Sequence, residues 1–332
     1  MRYAVIGTGY WGENHARIAA ELSEAGVLDE VILCDVDEER VRDLAGTYGL
    51  RYGTDIADLD VDGAVLATPS TTHPELATAL LERGVDVLVE KPLALDSERA
   101  WRIIETAKRN DRTLGVGHVF RYHPALRELK RRIDRGELGR IKYFHTTRFS
   151  FRVPRATTGA LYSLAVHDVD IYSWLLGARP NTVNASLDSF VREGVDETAT
   201  LTLEYGESTG AIHSSWQVPV FGKQRRLVVV GTERAAAVDY LANTELEIHD
   251  ARVHDEEGRL RAHDEGSVTH KVADAEPLKA EVEDFLAASR EGRTPRADGR
   301  VGARAVEILE RAEAAAATNE PVSAAVAASE SD

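Results

Sequence analysis

Gly7-Thr8-Gly9-Tyr10-Trp11-Gly12 fits the pattern G-x-G-x-x-G and stands directly after the apolar run Tyr3-Ala4-Val5-Ile6. A helical pattern follows, with Ile18, Ala19 and Leu22 on one face and a stop at Gly26. A strand, a glycine turn and a helix in this order form a cradle for a pyrophosphate. The first Gly permits the tight turn, the second lets backbone approach the phosphates, and the third lets helix and strand pack closely. The helix N-terminus adds N–H groups and partial positive charge. Val31-Ile32-Leu33-Cys34 reads as the next strand, and Asp35 closes it 23 residues after Gly12. A carboxylate there hydrogen-bonds the 2′-hydroxyl of an adenosine ribose and repels a 2′-phosphate. No Arg or Lys stands immediately beside it, Arg40 being the nearest, so the expected cofactor is NAD rather than NADP.

Working outward, the same alternation continues to about residue 120. Glu39 to Tyr48 reads as helix, and Ala64 to Ala67 as strand. Pro74 suits a first helical turn, and Gly84 closes that helix. Val85 to Val89 is a strand, Ser97 to Arg109 a helix and Leu114 to Val119 a further strand. Continuous apolar runs between amphipathic helices predict a parallel sheet covered on both faces. Beyond residue 120 the pattern changes. After a helix from Pro124 to Arg135, Ile141 to Phe151 alternates like a half-exposed strand, and Ser163 to Leu176 is helical. Thr182–Phe190, Thr198–Tyr205, Gly210–Val218 and Arg226–Val230 then read as strands of a mostly antiparallel sheet. Tyr205-Gly206-Glu207-Ser208 predicts a hairpin turn. Residues 250–275 are charged and give no clear period, while Pro277–Arg290 and Gly302–Ala317 read as helices. The expected domains are 1–120 for the cofactor and 121–320 for substrate and oligomerisation, with 321–332 an acidic flexible tail.

Composition narrows the function classes. In 332 residues, 56 Asp and Glu outweigh 40 Lys and Arg, for a net charge of −16. That balance excludes a general nucleic-acid binder, which needs surplus cations. There is no apolar run long enough for a membrane span and no secretory leader, so a soluble, cytoplasmic protein is expected. Cys34 is the only cysteine, and it forms no intrachain disulfide and suggests no metal cluster. Only seven of the 40 basic residues are Lys, which with the acid excess fits a salt-rich cytoplasm.

Two stretches carry residues suited to chemistry. Glu90-Lys91-Pro92 ends the fifth strand, where ligands of such sheets bind. Pro92 restricts Lys91 to extended backbone and admits a cis bond. An ammonium there holds a substrate hydroxyl and stabilises developing negative charge. His167-Asp168-Val169-Asp170 lies inside an otherwise apolar helix, and Asp170, three residues from His167, shares its face. A histidine oriented by an acid suits a general base. Arg148, Arg152 and Arg155, on and just after the first strand of the second half, suit a grip on a diphosphate. Position 168 does not share a face with His167, and the other histidines lack ligand spacing, so no metal site is expected.

Read together, these motifs resemble those of the glucose–fructose oxidoreductase, inositol dehydrogenase and rhizopine-catabolism superfamily. The resemblance runs through Gly7 to Gly12 with Glu13-Asn14-His15, then Thr68-Pro69 with His73, then Glu90-Lys91-Pro92. It continues through Arg121-Tyr122-His123-Pro124, the helix with His167 and Asp170, and Glu276-Pro277-Leu278 before Phe285. It implies an N-terminal Rossmann domain and a C-terminal α+β domain with a large, open, mainly antiparallel sheet. It also implies a bound nicotinamide cofactor and dimers or tetramers built through that sheet. Lys91 would contact substrate and nicotinamide, His167 would be the acid/base, and Thr68, Pro69 and His73 would line the cofactor. Arg121 and His123 would reach the substrate.

Two positions depart from the pattern. Many relatives carry Asp four residues before the catalytic His, where this chain has Ser163, whose hydroxyl cannot accept a proton as a carboxylate does. His123 stands where Asn is common. The Gly-Tyr-Trp-Gly turn and the Val166–Asp170 run resemble most the branch acting on nucleotide-linked sugars. That branch oxidises a ring hydroxyl, for example at C3 of a UDP-N-acetylhexosamine. The alternatives are a free aldose or inositol-type dehydrogenase and, in another class, a non-catalytic NAD(P)-binding regulator.

Overall fold

The computed structural model describes residues 1–154, 158–220 and 222–323. Contacts divide the chain into two units, the first Met1–Val119 with Pro277–Val306 and the second Phe120–Glu276 with the residues from Glu307 onward.

The first unit alternates strands and helices: β1 (Arg2–Ile6), α1 (Tyr10–Glu24), β2 (Glu30–Cys34), α2 (Glu38–Tyr48), β3 (Arg51–Gly53), β4 (Gly63–Leu66), α3 (His73–Glu82), β5 (Asp86–Val89), α4 (Ser97–Arg109) and β6 (Leu114–Val116). The strands are parallel, in the order β3-β2-β1-β4-β5-β6. Successive side chains of a strand feed opposite faces. Ala4, Ile6, Leu66, Val87 and Val89 therefore pack against Leu80, Leu81 and Ile103 of α3 and α4. Tyr3, Val5, Leu33, Val65 and Leu88 pack against Ile18 and Leu22 of α1, and against Val282, Phe285 and Leu286. Fully burying each of these large side chains stabilises the unit by about 1.5–3 kcal/mol. The strand order reverses between β1 and β4, which puts the ligand crevice of this fold beyond the carboxyl ends of those two strands.

The second unit begins with α5 (Pro124–Asp134) and β7 (Ile141–Ser150). A π-helical turn (Leu161–Ala165) then runs into α6 (Val166–Leu176). The strands β8 (Thr182–Asp188), β9 (Thr198–Tyr205), β10 (Ser208–Ser215), β11 (Lys223–Gly231), β12 (Ala235–Asp239), β13 (Glu245–Glu256) and β14 (Arg259–Lys271) follow. After these come α7 (Pro277–Glu291), α8 (Gly299–Thr318) and the short β15 (Val322–Ser323). The sheet has nine strands, in the order β14-β13-β12-β11-β7-β10-β9-β8-β15. Among the described residues of this sheet, only β7 and β10 pair in parallel. The predicted hairpin joins β9 to β10 through Gly206, which takes φ +69°.

Two expectations need correction. The second domain does not run unbroken to residue 320. Pro277–Val306 returns to the first unit, because Val282, Phe285 and Leu286 cover the sheet face left open beside α1. The close approach of α8 to β6 rests on Gly299 and Gly302, where a Cβ would lie 2.5 Å from Leu114 and 2.9 Å from Val116. The expected tail at 321–332 begins with β15, whose Val322 and Ser323 pair with Val183 and Thr182; residues 324–332 lie outside the described residues. Residues 250–275, unread in the sequence, are the long β13–β14 hairpin.

Candidate functional site

In the first unit the glycine turn has the required geometry. Gly7 takes φ +89°, and a Cβ there would stand 2.8 Å from the backbone of Ala67 and Thr68. A Cβ on Gly12 would fall 1.8 Å from Gly7 O. Around Gly9, by contrast, a Cβ meets nothing within 4 Å. The turn is thus closed by the protein at two glycines and open at the one where a pyrophosphate approaches. Tyr10 starts α1 largely exposed, and Trp11 packs at the edge of the core beneath it.

Asp35 is held at the end of β2. Its Oδ2 accepts the Thr8 N–H at 2.6 Å and the Thr8 hydroxyl at 2.8 Å, and its Oδ1 accepts the Asp37 N–H at 3.0 Å. Burial pushes the Asp35 carboxyl up, but these bonds and the nearby Arg40 outweigh it, and its pKa lies below the usual carboxylate value. Arg40, five residues on, comes within 3.8 Å of Asp35 Oδ2. An ionised carboxylate at this place fits an adenosine ribose.

Glu90, Lys91 and Pro92 follow β5, and the Lys91–Pro92 bond is cis. The Lys91 N–H donates to Glu90 Oε2 at 3.2 Å, while Glu90 Oε1 meets His15 Nε2 at 2.9 Å. Burial pushes the Glu90 carboxyl up, and His15, Lys91 and His73 draw it below its ordinary value. His15, given no role in the sequence, thus ties α1 to the Lys91 turn; its place in the Glu13-Asn14-His15 run was the available signal. Thr68 and Pro69 follow β4, with Thr68 Oγ1 accepting the Thr72 hydroxyl at 2.8 Å. His73, expected from the resemblance to stand beside the cofactor, engages both ring nitrogens within the protein. It is buried, with Nδ1 2.9 Å from Pro92 O and Nε2 3.0 Å from Thr68 O, as a strut between the turns after β4 and β5. Burial holds its pKa below the ordinary value, so the ring is neutral.

In the second unit His167 lies in the first turn of α6, buried, with the Phe120 ring edge-on at 4.9 Å. Asp170 receives Arg121, from Nε at 3.0 Å and Nη2 at 2.6 Å, so two predicted site residues form one ion pair. The Ser163 hydroxyl, in the π-helical turn, donates within Thr158, at 3.2 Å from Oγ1.

The diphosphate reading of Arg148 is overturned. Its side chain is 1% exposed and paired with Asp168, and its guanidinium lies 4.5 Å from the ring centroids of both Phe120 and Tyr240. Its buried Nη1 finds no acceptor among the described residues, and the two ring faces supply the compensating attraction. Tyr240 also donates its hydroxyl to Asp168 Oδ1 at 2.9 Å. His123 is corrected likewise. It is buried against Phe120 and Tyr240, and burial, with the charge of Arg148, lowers its pKa to about 4. It is a neutral packing residue with no surface to offer a sugar. Arg152 remains exposed, its guanidinium 5.7 Å from the Trp216 ring, and Arg155 lies outside the described residues. Asp250, His263 and Glu265 bring one ligand-type atom each within 4.8 Å, but Arg252 already occupies Asp250 at 3.1 Å.

A parallel sheet with this glycine turn and an ionised carboxylate after β2, joined to a second unit built on an open mixed sheet, fits a two-domain dinucleotide-binding protein. Residues 1–118 match the model of the oxidoreductase family with an NAD-binding Rossmann fold, and residues 126–237 that of the GFO/IDH/MocA C-terminal domain. The chain is 32% identical over 309 residues to UDP-N-acetylglucosamine 3-dehydrogenase of Acidithiobacillus ferrooxidans, covering 92% of this chain and 93% of that protein. The solved structure of that enzyme superposes with a TM-score of 0.80 at 29% identity, over 95% of this chain and 97% of its own. Inositol 2-dehydrogenase of Rhizobium meliloti is 25% identical over 338 residues, 98% of this chain and 99% of that protein. Levoglucosan dehydrogenase, solved with NADH and levoglucosan, shares the fold at a TM-score of 0.85 and 22% identity, over 97% of this chain and 99% of its own. The chain belongs to the GFO/IDH/MocA family and is an NAD-dependent oxidoreductase. No helix among the described residues is long and apolar enough to cross a membrane.

Proposed function

We propose that the protein is a sugar dehydrogenase that oxidises a ring hydroxyl of a nucleotide-linked sugar, with a UDP-N-acetylhexosamine at C3 as the leading candidate. The observation that carries this is the 32% identity to the Acidithiobacillus enzyme, which spans both units. NAD, when bound, supplies the hydride acceptor that turns a hydroxyl-bearing carbon into a ketone. The Gly7–Gly12 turn and Asp35 hold its pyrophosphate and ribose. Lys91 holds and polarises the substrate oxygen. His167 takes the hydroxyl proton, in a chain whose Ser163 cannot do so. Arg152 is an exposed cation suited to meet a diphosphate. The open nine-stranded sheet supports a reading as a homo-oligomer.

Lys91→Ala and His167→Ala are each expected to lower turnover by about 10²-fold or more while NAD affinity stays within about twofold. The test is NADH formation with UDP-N-acetylglucosamine, free aldoses and inositols side by side. Full activity in both variants would overturn the role assignment. Activity on inositol alone would favour the cyclitol reading, for which the Rhizobium relative is the supporting observation.

A further inference from the structure

The helix that carries His167 does not cap its own start. No side chain at Ala160 bonds its first turn, Leu161–Ala165, which is wound as a π-helix. The first N–H groups of a helix need acceptors from outside it. Here another loop provides them. Asp196, between β8 and β9, accepts the Leu161 N–H on Oδ2 at 2.8 Å and the Ala160 N–H on its main-chain oxygen at 2.8 Å.

The contact leaves no slack. A Cβ added at Gly159 would lie 1.6 Å from Asp196 Oδ1, so only glycine admits the carboxylate this close. The Ser163 N–H returns to Gly159 O at 3.0 Å, which closes the turn around the same point. The loop is braced behind Asp196. Glu197 is fully buried, and its carboxylate accepts the N–H of Val191 at 3.1 Å and of Arg192 at 2.9 Å. On the other side of the turn, the Tyr162 hydroxyl donates to Glu313 of α8 at 2.8 Å.

We propose that Asp196 is a positioning residue for the reaction, clamping the first turn of the His167 helix from the β8–β9 loop and so fixing where the imidazole stands. The role rests on the reading of His167 as proton acceptor; the clamp itself does not.

The clamp is also pH-dependent. Burial, with the charge of Glu313, raises the Asp196 carboxyl to about 6 against the pull of the Leu161 N–H. The groups facing it are Glu313 from α8 and Tyr162 from the turn itself; neighbouring Glu197 directs its carboxylate to the 190–192 N–H groups. A carboxyl exposed by opening titrates near ~3.9 and so binds its proton more tightly when clamped. The carboxyl therefore stabilises the clamp fully below about pH 4, and this contribution is lost as pH rises through about 6.

Two measurements on the whole protein test this. The first is amide exchange across residues 159–167, corrected for the chemical exchange rate. In the wild type, protection is expected to rise about tenfold from pH 7.5 to pH 5. In Asp196→Asn, which keeps a carbonyl acceptor without the charge, it should not change with pH. The second is steady-state kinetics. Asp196→Ala is expected to lower kcat about tenfold, with KM for the sugar substrate and Kd for NAD within about twofold, and Asp196→Asn to restore most of kcat. Equal protection in the wild type and both variants would overturn the clamp. Lost protection in Asp196→Ala with unchanged kcat would overturn the positioning role, and the activity of His167→Ala then shows whether the reading of His167 falls with it. If Asp196→Ala does not fold, the pH profile of Asp196→Asn decides alone, and one that still rises like the wild type overturns the clamp.

Discussion

Arg148 and Asp168 form an ion pair out of reach of solvent, the guanidinium side chain at 1% exposure and the carboxylate at 0%. The pair stands beside the catalytic candidate in sequence and in space, since Phe120 lies against both Arg148 and His167. Breaking such a pair from one side leaves a buried charge uncompensated, at about 3–5 kcal/mol. Arg148→Met is expected to destabilise the protein by that amount in urea unfolding. The double variant Arg148→Met/Asp168→Leu should recover a large part of the loss. A diphosphate-binding role predicts instead a raised KM with stability unchanged.

The glycine turn separates two kinds of failure. Gly12→Ala drives a Cβ into Gly7 O, so both stability and NAD affinity should fall. Gly9→Ala meets no protein atom within 4 Å and should fold with an unchanged Tm. It should still lose about tenfold or more in NAD affinity, because its methyl occupies space a pyrophosphate needs. Titration of NAD by fluorescence beside thermal unfolding checks both.

Cofactor choice rests on Asp35 with Arg40 behind it. Asp35→Ala removes the carboxylate that repels a 2′-phosphate, and leaves Arg40, which also pairs with Asp37 at 2.7 Å, beside the vacated position. The ratio of kcat/KM for NAD over NADP is expected to fall about tenfold or more. Because the Asp35 pKa lies below the ordinary carboxylate value, its carboxylate should impose the same preference between pH 7.5 and pH 9, where the 2′-phosphate of NADP is also fully ionised. An unchanged ratio in the variant would show that Asp35 does not read the ribose.

Glu281 of α7 is buried at 1% exposure, and neither of its oxygens has a hydrogen-bond partner among the described residues. Burial, with the charges of Glu90 and Asp284, pushes its pKa well above the ordinary value. The native state therefore holds a proton that the unfolded chain releases near pH ~4.3. The associated stability is complete below that pH and is lost as pH rises towards the folded value. Glu281→Gln escapes that loss. Its stability relative to the wild type is expected to climb by up to about 1.4 kcal/mol per pH unit above ~4.3, read by unfolding at pH 5 and pH 8.

The first unit was legible because each strand is a continuous apolar run and each helix carries one apolar stripe. Gly7 to Gly12 and Asp35 stand where the spacing put them. The β13–β14 hairpin was not legible, since the charged and mostly exposed residues of β14 give no alternating core face. β12 was missed because Ala235-Ala236-Ala237 lacks the branched and aromatic residues that mark strands. The burial of Arg148 was there to be read. It shares parity along β7 with buried Phe144 and Thr146, while Tyr143, His145, Thr147 and Phe149 point to the other face. A charge at an inward position requires a partner, and Asp168 next to His167 supplied it. The part of α7 in the first unit and the link from His15 to Glu90 depend on contacts between residues far apart in sequence, which no local pattern encodes.

The most direct test of the account is to incubate the purified protein with NAD and UDP-N-acetylglucosamine, follow absorbance of the reduced nicotinamide, and identify the sugar product by mass spectrometry. NADH and a ketosugar nucleotide two hydrogens lighter than the substrate are expected in equal amounts, both formed about 10²-fold or more slowly by His167→Ala. NAD binding without any NADH, across nucleotide sugars, aldoses and inositols alike, would contradict it.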